Sequence, residues 1–337
     1  MSTFKNSVAG LAAVLAVAGL AGPAAALDEV SFGTNWLAQA EHGGFYQAVA
    51  DGTYEKYGLD VTIVQGGPQA ANAALLLADK IQFYMRGNFL GSFSAVEQDI
   101  PVIEVAAIFQ KDPQVLITHP DFPGTELADL SQLPTIFMGK DGYASYFQWM
   151  KAAFEGFSDE QYKPYTFNPA PFLADKQSAQ QGYITSEPYA IEQEGGIKPK
   201  LFLLADYGFA TPSTMIEAKT DYVSENPDVV KRFVEASIIG WYNYLYGDNA
   251  AANAMIKEDN PEMTDGQIAF SIETMKSFGL VESGITEEKG IGCFDEANVE
   301  SFYDNMVEAG VIKKGLDFKS IYTNEFVCNG VGMDLKK

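Results

Sequence analysis

Aromatic rings, side-chain amides and a single guanidinium recur at positions from which they could grip a small molecule. Thr34-Asn35-Trp36 is followed by Glu41-His42-Gly43-Gly44-Phe45-Tyr46, then by Gln65-Gly66-Gly67-Pro68 and Arg86-Gly87-Asn88. Further on stand Gly139-Lys140-Asp141-Gly142-Tyr143 and Thr185-Ser186-Glu187-Pro188. Each cluster follows a short β-rich run, and in open α/β sheets ligands bind beyond the carboxyl ends of the strands. Trp36, Tyr46 and Tyr143 can stack on a planar ligand, Asn35 and Asn88 can hydrogen-bond one, and Gly66 and Gly67 can expose backbone N–H groups to negative charge. This is recognition chemistry.

Arg86 stands out because the chain carries a net charge of -23. A guanidinium at a strand end can hold a carboxylate, phosphate or sulfonate bidentately, or it can pair with Glu41 or another local carboxylate. Lys140 is a second cation in the same set. His42 can bond a ligand or cap the helix it opens, and with His119 as the only other histidine no multi-histidine metal site is possible. His119, before a proline, reads as structural. Glu187, with Ser186 at a helix start, suits the helix dipole whether or not it meets a ligand.

Catalytic patterns are missing. There is no Gly-x-Ser-x-Gly elbow, no phosphate loop, no His-Glu-x-x-His, and Gly290-Ile291-Gly292 lacks the third glycine and the preceding strand of a dinucleotide fingerprint. An enzyme, a cofactor and a metal are therefore not expected. The acidity repels nucleic acid, and no basic patch offsets it. Cys293 and Cys328 are the two cysteines, without a Cys-x-x-Cys spacing or a nearby histidine, and an even count in an oxidising compartment favours one disulfide.

The elements that must carry these residues alternate as α/β units. Early strands are expected at Val30–Phe32, Leu59–Val64, Ile81–Met85 and Val102–Phe109, with helices over Gly43–Lys56, Gln69–Ala78 and Gly87–Gln98. A second set has strands at Thr135–Met138, Tyr165–Phe167, Tyr183–Thr185 and Lys200–Leu204, and helices at Ser145–Phe154 and Pro188–Glu194. The remainder is mostly helical: Pro227–Tyr246, Ala250–Glu258, Asp265–Phe278 and Asp295–Ala309. Trp241 and its neighbouring tyrosines on the long helix read as packing. Two lobes result, one from 27–117 and 212–337 and the other from 118–211, each a mostly parallel sheet flanked by helices. Crossings near Thr118 and Thr211 would form a hinge.

The N-terminus reads as a secretory leader. Lys5 precedes a 14-residue apolar run, Val8 to Ala21, and then Gly22-Pro23-Ala24-Ala25-Ala26, with cleavage expected after Ala26. That run is short of the roughly 20 residues a spanning helix needs. Export to the periplasm is the expectation.

Three stretches carry a family resemblance: Thr34 through Ala48, Tyr57-Gly58-Leu59-Asp60-Val61 with Gly66-Gly67-Pro68, and Gln180-Gln181-Gly182-Tyr183-Ile184-Thr185-Ser186-Glu187-Pro188. Over most of its length the chain resembles the periplasmic substrate-binding proteins of ABC importers related to thiamine-pyrimidine-synthase-like proteins, alongside the sulfonate, taurine and nitrate binders. The resemblance implies a type II two-lobed fold that closes on a small ligand and hands it to a membrane permease, and it points to Asn35, Trp36, His42, Tyr46, Ser186 and Glu187 as ligand-facing. A monomer is expected. The ligand is expected to be a pyrimidine-type or other aromatic heterocycle; an organic anion is the alternative, since Arg86 departs from the small or polar residue usual there. A pyrimidine-synthase-like enzyme is the reading from another class, at odds with the leader and with the absence of cysteine before Cys293.

Overall fold

The computed structural model describes Met1, residues 26–68 and residues 70–336. The expected leader therefore lies almost wholly outside the described residues, as does the expected helix start at Gln69. Among the described residues ten strands form two five-stranded sheets. The first holds β1 (Asp28–Gly33), β2 (Leu59–Val64), β3 (Phe83–Arg86), β4 (Val102–Phe109) and β10 (Ser213–Lys219), in the order β2-β1-β3-β10-β4. The second holds β5 (Gln114–Thr118), β6 (Thr135–Met138), β7 (Tyr162–Pro164), β8 (Ser178–Tyr183) and β9 (Lys200–Leu203), in the order β7-β6-β8-β5-β9.

Each sheet is mostly parallel, as expected: four of its five strands run the same way and one runs against them. β1 runs parallel to β2 and β3, and β6 runs parallel to β7 and β8. The strand that has just crossed from the other sheet is the antiparallel one in each case: β10 lies between β3 and β4, and β5 between β8 and β9. The outward crossing thus lies between Phe109 and Gln114, upstream of the expected Thr118, because residues 114–118 already pair in the second sheet. The chain returns between Leu203 and Ser213. At this double crossing the Asp112 N–H donates to the Thr211 carbonyl at 3.0 Å.

Local sequence accounts for most boundaries. The expected helix Gly43–Lys56 is two helices, Gly43–Ala50 and Thr53–Lys56, because Gly52 adopts a left-handed φ of 70° that ends the first. Asn88 caps helix Phe89–Glu97 by accepting the Leu90 N–H at 3.2 Å. The 20-residue helix Pro227–Tyr246 opens on a proline and buries Trp241 completely against the edges of Phe45, Phe109 and Tyr244. Cys293 and Cys328 are bonded, with Cα atoms 4.9 Å apart. Ala107 donates its N–H to the Gly292 carbonyl, so the bridge ties the C-terminal segment to β4.

Candidate functional site

A cavity of about 490 Å³ opens between the two sheets, at the ends of β1, β3, β6 and β8 and the start of β5. Of the residues expected to meet a ligand, Asn35, Trp36, Arg86, Asn88 and Glu187 line it. Asn35 and Trp36 leave β1, and Arg86 ends β3 beside Gly87, whose lack of a Cβ leaves room for the Asn35 amide. The Trp36 ring reaches the second sheet's lobe. It lies 6.2 Å from the Tyr165 ring with 19° between the planes, and edge-on to Phe167.

Other expected site residues lie elsewhere. His42 and Tyr46 are buried in the core and do not line the cavity. The Tyr46 hydroxyl donates to Asp259 at 2.7 Å, and burial pushes the His42 imidazole down to about 3, so it is neutral. The glycines beside them serve packing: a Cβ at Gly43 would strike the Tyr244 ring, and one at Gly44 would come within 2.2 Å of Trp241. The Gly43-Gly44 pair is the seat on which helix Pro227–Tyr246 rests. Gly66 lets its loop touch the chain leaving β1, where a Cβ would lie 2.3 Å from the Thr34 carbonyl oxygen, and Gly67 faces Leu37. Lys140 is exposed, while Tyr143 packs on Tyr162 and donates to Asp159 at 3.0 Å. Ser186 is buried and gives its carbonyl to Gln267. None of Gly66, Gly67, Lys140, Tyr143 and Ser186 lines the cavity.

Arg86 is held internally. Its Nε and Nη2 donate to the two Glu217 oxygens at 2.8 and 2.7 Å, and its Nε lies 3.9 Å from Glu104. Both carboxylates are buried, and Ser92 donates to Glu104 at 2.6 Å. Burial and the neighbouring Glu217 raise the Glu104 carboxyl well above its ordinary range. The guanidinium thus pairs with Glu217, which β10 brings in from the far side of the sequence, beside Glu104 on β4.

Sequence reasoning missed several lining residues of the crossing and the second lobe. Asp112, Gln114, Gln181, Tyr183 and Tyr146 line the cavity. Gln181 accepts from the Gly139 N–H at 2.6 Å and from the Tyr146 hydroxyl at 2.9 Å, which fixes its side chain in the wall. Glu187 accepts from the Tyr183 N–H at 2.8 Å and from the Tyr165 hydroxyl at 3.2 Å. The signal for Gln114 was the β-rich run Val115-Leu116-Ile117 between two prolines, which marks a strand whose first residue opens onto the hinge. Burial raises the carboxyls of Asp112 and Glu187 to about 7 each, so both exchange a proton near neutrality and can donate or accept a hydrogen bond. The charge-bearing lining is one cation, Arg86, against Asp112, Asp141, Glu187 and Glu217. Among the described residues no group of three or more His, Cys, Asp or Glu is placed to hold a metal ion.

A sequence model described as "NMT1/THI5 like" matches residues 39–252, more than half of the chain. The chain belongs to that family. The riboflavin-binding protein RibY of Chloroflexus aurantiacus is 23% identical over 312 residues, 90% of this chain and 87% of that one. Among solved structures, a Candida albicans protein described as having the generic periplasmic binding protein fold is similar with a TM-score of 0.63 at 13% identity, covering 89% of this chain and 98% of its own. The periplasmic aliphatic sulphonate-binding protein SsuA of Escherichia coli is similar with a TM-score of 0.60 at 15% identity, covering 89% and 99%. The fold is that of the periplasmic binding proteins, as the family resemblance implied.

Proposed function

We propose that this member of the NMT1/THI5-like family is the periplasmic solute-binding component of an ABC importer, and that its ligand is a planar, uncharged nitrogen heterocycle of pyrimidine or flavin type. The observation that carries the reading is the charge of the cavity. Its single guanidinium is bound bidentately by Glu217, and the other charge-bearing side chains in the wall are carboxyls. An anionic ligand would meet net repulsion there, because Glu217 already offsets the charge of Arg86.

A heterocycle fits the same groups. Trp36 supplies a ring, Asn35, Asn88 and Gln181 supply amides, and the half-protonated carboxyls of Asp112 and Glu187 match ring carbonyls or ring N–H groups. The volume is ordinary for a small-molecule site, about 300–1,000 Å³. Riboflavin, the ligand in the name of the relative RibY, is of this class. Closure about the double crossing at 110–113 and 204–212 would sequester the ligand, and a permease would receive it. Export through the Met1–Ala26 leader and action as a monomeric binder without catalysis belong to the same reading.

Thermal unfolding of the mature protein with riboflavin, lumichrome, uracil, ethanesulfonate and nitrate tests this. A ligand of the folded state present at 100 times its dissociation constant adds about 2.7 kcal/mol of stability. The expected outcome is a raised midpoint with at least one heterocycle and none with the anions. A shift with ethanesulfonate or nitrate alone would overturn the reading.

A further inference from the structure

We propose that the cavity has a second compartment, an apolar side arm in the first lobe that receives an aliphatic or benzenoid extension of the ligand whose polar head lies between the lobes. The inference rests on the reading of the head given above and adds what the other end of the ligand must be. Beyond the cleft the cavity continues past Arg86 into the gap between helices Asn72–Leu77 and Phe89–Glu97. Ala73 and Leu77 line it from one helix, Ala95 from the other, and Ile100 and Val102 from the turn into β4.

Three observations point to an apolar occupant. Beyond the junction formed by Tyr84, Arg86 and Glu217, no titratable side chain lines the arm; its polar groups are the uncharged Ser94 and Gln98. At the junction the charge is paired: Glu217 takes two N–H groups of Arg86, and the Tyr84 ring lies 5.3 Å from the guanidinium carbon. The arm also lies over a small apolar cluster of Leu76, Ile81, Tyr84, Ala95 and Val102 that is separate from the two main cores. Gly91 lets the Arg86 guanidinium approach its helix, where a Cβ would lie 3.0 Å from Nη1, and Leu77 at the arm is left 44% exposed. Continuity with the cleft makes the natural occupant a part of the same molecule, and a flat head with an apolar extension fits the two compartments in one piece.

The arm can be tested without knowing the ligand. N-phenyl-1-naphthylamine, a neutral fluorophore, is titrated into the mature protein, the Ala73→Phe variant and the Ser94→Phe variant, each of which fills the arm from a different helix at a partly exposed position. Enhanced, blue-shifted emission in the unaltered protein, displaced by 1-octanol and at least tenfold weaker in both variants, is expected. A second series uses isoalloxazines with N10 chains from methyl to hexyl. Affinity should rise about fourfold for each CH₂ that is buried, and should be flat in the variants. Circular dichroism verifies folding, and either variant alone suffices if the other does not fold. Naphthylamine binding that is absent, or undiminished in the folded variants, overturns the arm, as does a flat alkyl series when the methyl compound binds. Loss of the heterocycle reading looks different: no isoalloxazine binds, whereas naphthylamine still binds and is still blocked.

Discussion

Arg86 shows how much a residue's meaning depends on what faces it. Taken from the sequence, it was a candidate anion grip; in the folded protein it neutralises Glu217 and lies near Glu104. Removing one partner of a buried ion pair strands the other, at a cost of about 3–5 kcal/mol. Arg86→Met should therefore lower stability by that amount in urea unfolding, and Arg86→Met combined with Glu217→Leu should recover most of the loss. A stable single variant that has merely lost ligand binding would contradict this account. Trp36 lines the cavity and also stacks on Tyr165 of the opposite lobe. Trp36→Ala should weaken heterocycle binding by more than about 1 kcal/mol, roughly fivefold, in calorimetric titration, while Trp36→Phe retains most of it. Asn35, Asn88 and Glu187 could be read from their places after strands or at a helix start. His42 and Tyr46 are buried away from the cavity, and the Gly43-Gly44 pair between them admits Tyr244 and Trp241.

Among the elements, helices were the more legible. The long amphipathic helix Pro227–Tyr246 declares itself by its proline start and apolar periodicity. β5 and β10 did not: β5 has five residues, and β10 carries a buried Glu217 that interrupts the apolar pattern. Those two strands bring Gln114 and Glu217 to the site, so missing them meant missing the carboxylate that pairs with Arg86. The disulfide is an element-scale staple whose loop spans a sequence separation of 35. The Cys293→Ser/Cys328→Ser double variant should lose about 3–4 kcal/mol of stability, read by chemical unfolding, if loop closure in the unfolded chain is the main term. A loss below about 1 kcal/mol would show that the contacts of the C-terminal segment with β4 hold it without the bridge.

For the whole molecule, burial of acids makes stability depend on pH in an unusual direction. Glu41, Asp112 and Glu187 are each raised to about 7 by desolvation from ordinary values of 4.5, 3.8 and 4.5. Between about pH 4.5 and 7 the folded state therefore keeps protons that the unfolded chain has released, and stability falls as pH rises through that window. His42 acts oppositely: its lowered value means that the unfolded chain holds a proton the folded state lacks below about pH 6.5. Three carboxyls outweigh one imidazole, and exposed acids with lowered values, such as Asp129 and Asp221, matter only below the window. The melting midpoint should accordingly be higher at pH 5 than at pH 7.5, and Glu41→Gln should flatten the slope; a midpoint that climbs from pH 5 to 7.5 would refute this ordering. Glu41 also accepts the Thr185 hydroxyl across the lobes, so its proton bears on the contact between them.

What the sequence determined by itself is what local rules encode: alternating α/β units, helix starts and stops, and polar and aromatic residues placed just after strands. Periodicity and capping act over a few residues, and a single chain read in order displays them. What only the tertiary structure decided is which of those residues face one another. Arg86 meets Glu217 across 131 positions of sequence, and Glu41 meets Thr185 across 144. Two strands exchanged between sheets carry Gln114 and Glu217 into the site, and whether a glycine cradles a ligand or admits a tryptophan depends on the helix packed against it. Those are consequences of long-range packing and desolvation, for which neighbouring residues hold no record.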